Sequence, residues 1–230
     1  MIPRFIHRIW LGSDIPPEFD DYWQRWRELF PDHELRTWLE RDLRDLGMPD
    51  HTWAGCTYAE QSDIARLRVV NELGGIYADC DVEPLVRFDA LWSGDDQLIA
   101  FQQSLNQRVM NGLFAAAPGA LGFVERFVER NARRHGPDVV PTLRTGPFAF
   151  TAALDYMRTQ GVRMRVYPPA FVDLQGIEQF AVARCRFRDA PGWKAADNPA
   201  EPVRAPLRDL MFDARLIPLR LRRRMSRLLT

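Results

Sequence analysis

The stretch from Ala59 to Glu83, AEQSDIARLRVVNELGGIYADCDVE, constrains the fold more than any other part of this 230-residue chain. Thr57 and Glu60 just before it have the spacing of a helix capping box, so a helix is predicted to begin there. Apolar residues then recur at helical spacing and would face a core: Ile64, Leu67, Val70 and Leu73. The Gly74-Gly75 pair predicts the helix end and a tight reversal. A short buried strand, residues 76–78, is predicted to follow.

Asp79 and Asp81 come directly after this predicted strand. Two carboxylates so close repel each other unless a cation lies between them. A hard divalent ion with positions open to a substrate phosphate would offset the repulsion. Residues two apart in a strand point to the same face, so the pair predicts a Mn²⁺ or Mg²⁺ site. The alternative is that both aspartates cap a turn.

Asp63 and Arg66 lie about one helical turn apart on the preceding helix, so both can serve the same site. An arginine beside carboxylates suits a phosphate or a set of sugar hydroxyls. The alternative is an ordinary surface ion pair. The whole pattern, S-D-x-x-R followed by G-G-x-Y-x-D-x-D, is far more specific than a bare D-x-D.

Residues 62–66 (SDIAR) and 74–81 (GGIYADCD) resemble the signature of the DxD sugar transferases, and are most similar to glycosyltransferase family 32. Residues 3–12 (PRFIHRIWLG) also resemble that family's opening, I-P-K-x-I-H-x-I-W. The resemblance implies a GT-A-like fold and a metal-dependent transfer of a sugar from a nucleotide-diphosphate sugar, with retention of configuration. It implies a role in bacterial polysaccharide or glycolipid synthesis.

The resemblance also implies a set of donor-binding residues: Trp10, Asp63, Arg66, Tyr77, Asp79, Asn111 and Trp193. Trp10 would stack on the nucleotide base, although it could equally be a core aromatic. Asn111 would lie near the donor sugar, whereas its N-G dipeptide alone predicts only a turn. Trp193 would close over the nucleotide or simply pack. The sequence singles out no nucleophile or general base.

One part of the chain departs from the family pattern. Family members often carry a His-rich stretch before a terminal tryptophan, and here Arg184, Cys185 and Arg186 occupy that region. The metal ligands beyond Asp79 and Asp81 therefore stay open.

Predicted strands at 5–10, 33–38 and 76–78 alternate with predicted helices at 18–30 and 39–46. This alternation is typical of an α/β fold with a mainly parallel central sheet flanked by helices. Right-handed crossovers place the strand ends, and with them Trp10, Asp79 and Asp81, on one edge. We predict one domain over residues 1–215.

The composition limits which partners and which cellular compartment we predict for this chain. The formal net charge is zero, so nothing indicates a nucleic-acid partner. Three cysteines without C-x-x-C spacing argue against a structural zinc and for a reducing compartment. No apolar run is long enough to span a membrane. These features predict a cytoplasmic protein with no signal peptide.

Residues 216–230, LIPLRLRRRMSRLLT, are predicted to form a basic amphipathic tail. Such a tail can lie on an anionic membrane, which would make the protein peripheral at the inner face. Packing on the chain's own core is the alternative.

Two other functions are compatible with a D-x-D. A magnesium-dependent phosphohydrolase would carry the pair on its first strand, with Thr or Val two places later, where this chain has Glu83. A catalytically inactive glycan-processing partner is the second. The donor base and sugar stay open, as does the acceptor, which could be a glycan, a glycolipid or another hydroxyl compound.

Overall fold

The computed structural model describes residues 1–48, 55–92, 94–103, 108–173 and 181–185. The α-helices are α1 (Glu18–Leu29), α2 (Glu40–Asp45), α3 (Tyr58–Leu73), α4 (Gly122–Arg134), α5 (Pro141–Arg144) and α6 (Pro147–Thr159). The strands are β1 (Phe5–Ile9), β2 (Glu34–Trp38), β3 (Gly75–Ala78), β4 (Val82–Pro84), β5 (Leu98–Gln102), β6 (Val109–Ala116), β7 (Met164–Tyr167), β8 (Val172–Asp173) and β9 (Ala183–Cys185). Trp193, the end of the predicted domain at 215 and the basic tail lie outside the described residues.

The central sheet has six strands in the order β2-β1-β3-β6-β5-β7. Strands β2, β1 and β3 are parallel, as are β5 and β7. Strand β6 runs antiparallel to both of its neighbours, β3 and β5. Five strands therefore share one direction, which confirms the predicted α/β class with a mainly parallel sheet.

The sheet separates two apolar cores. One core lies between the sheet and helices α2, α3, α4 and α6, and includes Ile64, Tyr77, Phe114 and Phe150. The other core lies under α1, whose Trp23 and Trp26 pack on the opposite face of the sheet. The predicted flanking helices are thus present on both faces.

A second, three-stranded sheet of order β4-β9-β8 helps to cover the α1 side. Pro84 lies in an edge strand, where its missing N–H costs no ladder hydrogen bond.

Helix α3 begins and ends as predicted. Thr57 Oγ1 accepts from the Glu60 N–H (3.3 Å) and Glu60 Oε2 accepts from the Thr57 N–H (2.9 Å), which is the capping box. At the other end Gly74 has a φ of 66°, and a Cβ there would lie 2.6 Å from ring atoms of Pro3 and Pro118. Glycine is therefore required both for the backbone conformation and for the close approach of the chain.

Strands β1 and β3 are parallel neighbours, so their carboxyl-terminal ends lie side by side at one edge of the sheet. The Cys80 thiol donates to the Ile9 carbonyl oxygen (3.5 Å), so the cysteine points at the backbone of β1. His7 Nε2 donates to the Gly74 carbonyl oxygen (2.9 Å) while its Nδ1 accepts from Trp38 Nε1 (3.1 Å). Burial lowers the pKa of His7 to about 4, so this histidine is neutral near pH 7 and has a structural role.

A buried ion pair joins α3 to α5. Arg144 Nη1 donates to both carboxylate oxygens of Glu60, at 2.9 and 3.1 Å, and each side chain is no more than 3% exposed. The same guanidinium donates to the carbonyl oxygens of Ala132 and Gly55. Glu60 was predicted only as a capping residue, and nothing in the sequence identified Arg144 as its partner.

We expect Arg144→Met to lower the free energy of unfolding by about 3–5 kcal/mol, because it leaves the Glu60 charge buried without its partner. Urea denaturation would measure the loss, and adding Glu60→Gln should restore part of it. The control is Arg133→Met, which removes an arginine that is 64% exposed and 3.6 Å from Glu129. It should cost less than about 1 kcal/mol. Equal losses in Arg144→Met and the control would contradict the prediction.

Candidate functional site

Arg66 lies at the centre of a polar cluster where β3 ends and β6 begins. Its Nη1 donates to the Asn111 carbonyl oxygen (2.9 Å) and lies 3.2 Å from Asp79 Oδ1. Its Nη2 donates to Ser62 Oγ (3.1 Å) and lies 3.2 Å from Asp63 Oδ1. Its Nε donates to the Ser62 carbonyl oxygen. Every nitrogen of this guanidinium therefore has a partner inside the protein.

Burial by itself lowers the pKa of Arg66, but Asp79 and the other acidic groups around it raise the pKa above the usual arginine value. The guanidinium also lies 4.7 Å from the centre of the Tyr77 ring. Arg66 is thus a permanent buried cation that neutralises two carboxylates and rests on an aromatic face.

Asp79 is held from several sides. The Tyr77 hydroxyl donates to its Oδ1 (2.8 Å), Arg66 contacts the same carboxylate, and its backbone N–H donates to the Gly112 carbonyl oxygen (2.8 Å). A Cβ on Gly112 would collide with Asp79 Oδ2. The carboxylate is 27% exposed, so it has one fixed orientation and remains open to a ligand.

Asp63 completes the cluster from helix α3. Its Oδ1 accepts from Asn111 Nδ2 (2.7 Å) and its Oδ2 accepts from the Thr145 hydroxyl (2.8 Å). Burial raises the pKa of Asp63 to about 6, while Arg66 and these hydrogen bonds limit the rise. Asp63 can therefore accept hydrogen bonds as a carboxylate at neutral pH and becomes protonated in mild acid.

Asp81 lies in a turn rather than in a strand. Strand β3 ends at Ala78, and the Val82 N–H donates to the Asp79 carbonyl oxygen (3.0 Å) across a four-residue turn. The argument that Asp79 and Asp81 share one face of an extended strand was therefore wrong. Asp81 itself is buried, at 7% exposure, directly before β4.

The two aspartates still fit a hard divalent cation by the chemistry of their oxygen atoms. In the part of the chain that the structure describes, no three His, Cys, Asp or Glu side chains come together as a metal site. Among the described residues, Asp79 and Asp81 are the side chains that would hold such an ion. Magnesium is commonly bound in this way, by one or two carboxylates with water and substrate phosphates completing its coordination.

Trp10 lies at the same edge of the sheet, one residue after β1, and its indole is partly exposed. Its ring packs at 5.5 Å from the Phe19 ring, and its Nε1 donates to Ser13 Oγ (3.3 Å). Trp10 is thus supported by α1 on one side and available to a ligand on the other.

The structure brings together five of the residues predicted from sequence: Asp63, Arg66, Tyr77, Asp79 and Asn111. Trp10 lies at the same edge without a contact to them, and Trp193 lies outside the described residues.

Sequence analysis missed Thr145 and Gly112 as members of the site. A hydroxyl that contacts Asp63 from 82 positions away leaves no local signal in the sequence. Gly112 was visible only within an N-G turn pattern.

Residues 16–105 match a family model described as "Glycosyltransferase sugar-binding region containing DXD motif". The chain is 24% identical over 182 residues to inositol phosphoceramide mannosyltransferase 2 of Schizosaccharomyces pombe, covering 75% of this chain and 51% of that protein. It is 26% identical over 102 residues to a mannosyl phosphorylinositol ceramide synthase of Saccharomyces cerevisiae, covering 39% of this chain and 27% of that protein. The chain thus spans about half the length, or less, of the curated relatives it matches.

Among solved structures, the glycosyltransferase PaToxG superimposes with a TM-score of 0.57 at 20% identity, over 70% of this chain and 71% of that one. The ligand-free glycosyltransferase domain of the YGT toxin gives a TM-score of 0.50 at 10% identity, over 72% and 80%. At these identities the likeness concerns the fold, and it confirms the predicted GT-A-like architecture. The matched family model over residues 16–105 and the two yeast relatives agree with the similarity of this chain to the DXD-containing sugar transferases of glycosyltransferase family 32.

Proposed function

We propose that this protein transfers a sugar from a nucleotide-diphosphate donor to a hydroxyl acceptor, with a divalent cation and with retention of configuration. The observation that carries the proposal is the Arg66 cluster, which holds Asp63, Asp79 and Asn111 together where β3 ends beside β1. In an open α/β sheet, ligands bind at the carboxyl ends of the parallel strands.

In this reaction the bond between the anomeric carbon and a diphosphate oxygen breaks, and a bond to the acceptor oxygen forms. The electron pair leaves with the diphosphate, and the acceptor hydroxyl loses its proton. Asp79 and Asp81 would hold Mn²⁺ or Mg²⁺, which neutralises charge on the leaving diphosphate. Tyr77 and Arg66 keep Asp79 in place for this task.

Arg66 contributes by positioning, because all of its guanidinium nitrogens already have partners within the protein. Its positive charge still favours the growth of negative charge nearby without any rearrangement. Asp63 and Asn111 would contact the hydroxyls of the donor sugar. Trp10 would stack on the base, with Trp193 closing over the nucleotide.

For the acceptor we propose a glycolipid or glycan hydroxyl, since the two yeast relatives are named for inositol phosphoceramide and mannosyl phosphorylinositol ceramide. These relatives are fungal, so a bacterial polysaccharide pathway stays a prediction, as does a cytoplasmic location. Within the described residues no helix is long and apolar enough to cross a membrane. Peripheral binding of residues 216–230 to an anionic membrane is part of the proposal.

The decisive screen is to mix the full-length protein with nucleotide sugars, with and without Mn²⁺, and measure the melting temperature. A donor that binds the native state raises that temperature by mass action. The inactive-partner alternative predicts stabilisation without turnover of any donor.

We expect Asp81→Asn and Asp79→Asn to lower donor turnover by about 10²–10³-fold, the usual effect of removing one group that stabilises transition-state charge. Tyr77→Phe removes only the hydroxyl that orients Asp79, and should cost about tenfold. Turnover is measured as released nucleoside diphosphate, and urea denaturation checks that the variants fold. Full activity in excess chelator would rule out metal dependence.

Trp10→Ala and Asp63→Ala should have different effects on binding. Loss of the indole should weaken both free nucleotide and nucleotide sugar by about 1–3 kcal/mol, the usual value for stacking of a base on an aromatic ring. Loss of the Asp63 carboxylate should weaken nucleotide sugar while sparing free nucleotide. Calorimetric titration with both ligands tests this, and the same pattern in both variants would show the assignment to be wrong.

The third expectation concerns pH and Asp63. Its folded-state pKa is raised from 3.8 to about 6, so its contribution to stability is fully present below about pH 4 and is lost as pH rises through 6. The side chain of Asp63→Asn cannot ionise. The free energy of unfolding of this variant, relative to that of the wild type, should therefore increase between pH 4 and pH 7. The shift corresponds to about 3 kcal/mol at most.

Urea denaturation at several pH values, without metal or donor, measures this difference. The matched control is Asp95→Asn, which removes a carboxylate whose side chain is 84% exposed. A difference between Asp63→Asn and the wild type that stays constant with pH would contradict the expectation.

A further inference from the structure

Arg108 lies one residue before β6 and is only partly exposed. Its guanidinium carbon lies 3.2 Å from the centre of the Phe148 ring, in the first turn of α6. The Val109 N–H donates to Thr151 Oγ1 (2.9 Å), so the start of β6 is fastened to the same helix. Arg108 therefore has a defined place between β6 and α6.

This arginine differs from five other arginines that are wholly or partly withdrawn from solvent. Arg8, Arg36, Arg66, Arg68 and Arg144 each contact at least one carboxylate within 3.3 Å. For Arg108, no carboxylate lies within ion-pair distance among the residues that the structure describes. Desolvation lowers its pKa. A partly desolvated cation without an anion is a cost that a bound anion would remove.

The position of Arg108 can be described relative to two residues of the candidate site, Asn111 and Thr145. Arg108, just before β6, precedes Asn111 by three residues, or by about 10 Å of extended chain. Asn111 contacts Asp63, and Thr145, just before α6, contacts the same carboxylate. Arg108 thus lies on the wall shared by β6 and α6, beyond the Arg66 cluster on the side away from β3.

We propose that Arg108 binds a phosphate group of the acceptor, and this inference rests on the glycosyltransferase function proposed above. One face of the guanidinium rests on the Phe148 ring. The N–H groups at its edge, which have no carboxylate partner among the described residues, could form paired hydrogen bonds to phosphate oxygens. The separation from Asn111 places this phosphate apart from the donor diphosphate at Asp79 and Asp81.

The test uses glycerol 1-phosphate as the probe, titrated calorimetrically into the full-length protein. Each titration is run with Mg²⁺, once without nucleotide and once with the donor's nucleoside diphosphate at saturation, so that the donor site is filled. The variants are Arg108→Gln, Arg108→Lys and, as the matched control, Arg158→Gln, which changes an exposed arginine on the same helix α6. Hydrolysis of the donor in the absence of acceptor is measured in parallel.

We expect Arg108→Gln to weaken glycerol 1-phosphate binding by about tenfold or more, the effect of losing charge-assisted hydrogen bonds. The affinity of Arg108→Lys for the probe should lie between those of the wild type and Arg108→Gln, because lysine keeps the charge but lacks the planar guanidinium fork. Arg158→Gln should bind the probe like the wild type, and donor hydrolysis by Arg108→Gln should be unchanged.

Equal affinity of the wild type and Arg108→Gln for the probe would overturn the proposal. So would a loss of probe binding when the nucleoside diphosphate is present, since the phosphate would then belong to the donor site. Failure of the proposed function has a different signature, because the wild type itself would then hydrolyse no nucleotide sugar whatever the probe titrations show.

Discussion

The buried guanidinium of Arg66 connects helix α3 with the ends of β3 and β6, and the geometry of the site depends on it. It stands between Asp63 and Asp79, two carboxylates that would repel each other in a partly desolvated space. It also satisfies the Asn111 carbonyl oxygen where β6 extends beyond β3. This cation offsets the repulsion between the two carboxylates and so lets them lie close to each other.

The surrounding structure holds this centre in place through two further interactions. Tyr77 presents its hydroxyl to Asp79 from a fully buried ring, and that ring also supports the guanidinium. On the other side, the Glu60–Arg144 pair fastens α5 to α3, which keeps Thr145 within hydrogen-bond distance of Asp63. Buried groups therefore fix the orientation of Asp79, while part of its carboxylate stays accessible to solvent.

Different parts of strand β6 contribute to different parts of the proposed site. Its inner part, at Asn111 and Gly112, packs against Asp63 and Asp79 so closely that a Cβ at Gly112 would collide with the carboxylate. Its outer end carries Arg108, whose charge no described carboxylate balances. One strand thus contributes first to the donor-side cluster and then, about 10 Å further along, to the wall proposed for the acceptor.

Local signals in the sequence by themselves determined the elements that form the site. The capping box at Thr57 and Glu60, the Gly74-Gly75 reversal and the apolar spacing of α3 each act over a few residues, and they predicted the helix and strand that carry Asp63, Arg66 and Asp79. Only the tertiary structure decided that Arg66 is saturated by protein groups, that Asp81 lies in a turn, and that Arg144 and Thr145 contact Glu60 and Asp63. Burial and contacts between distant residues arise from the packing of whole elements, so no short pattern encodes them.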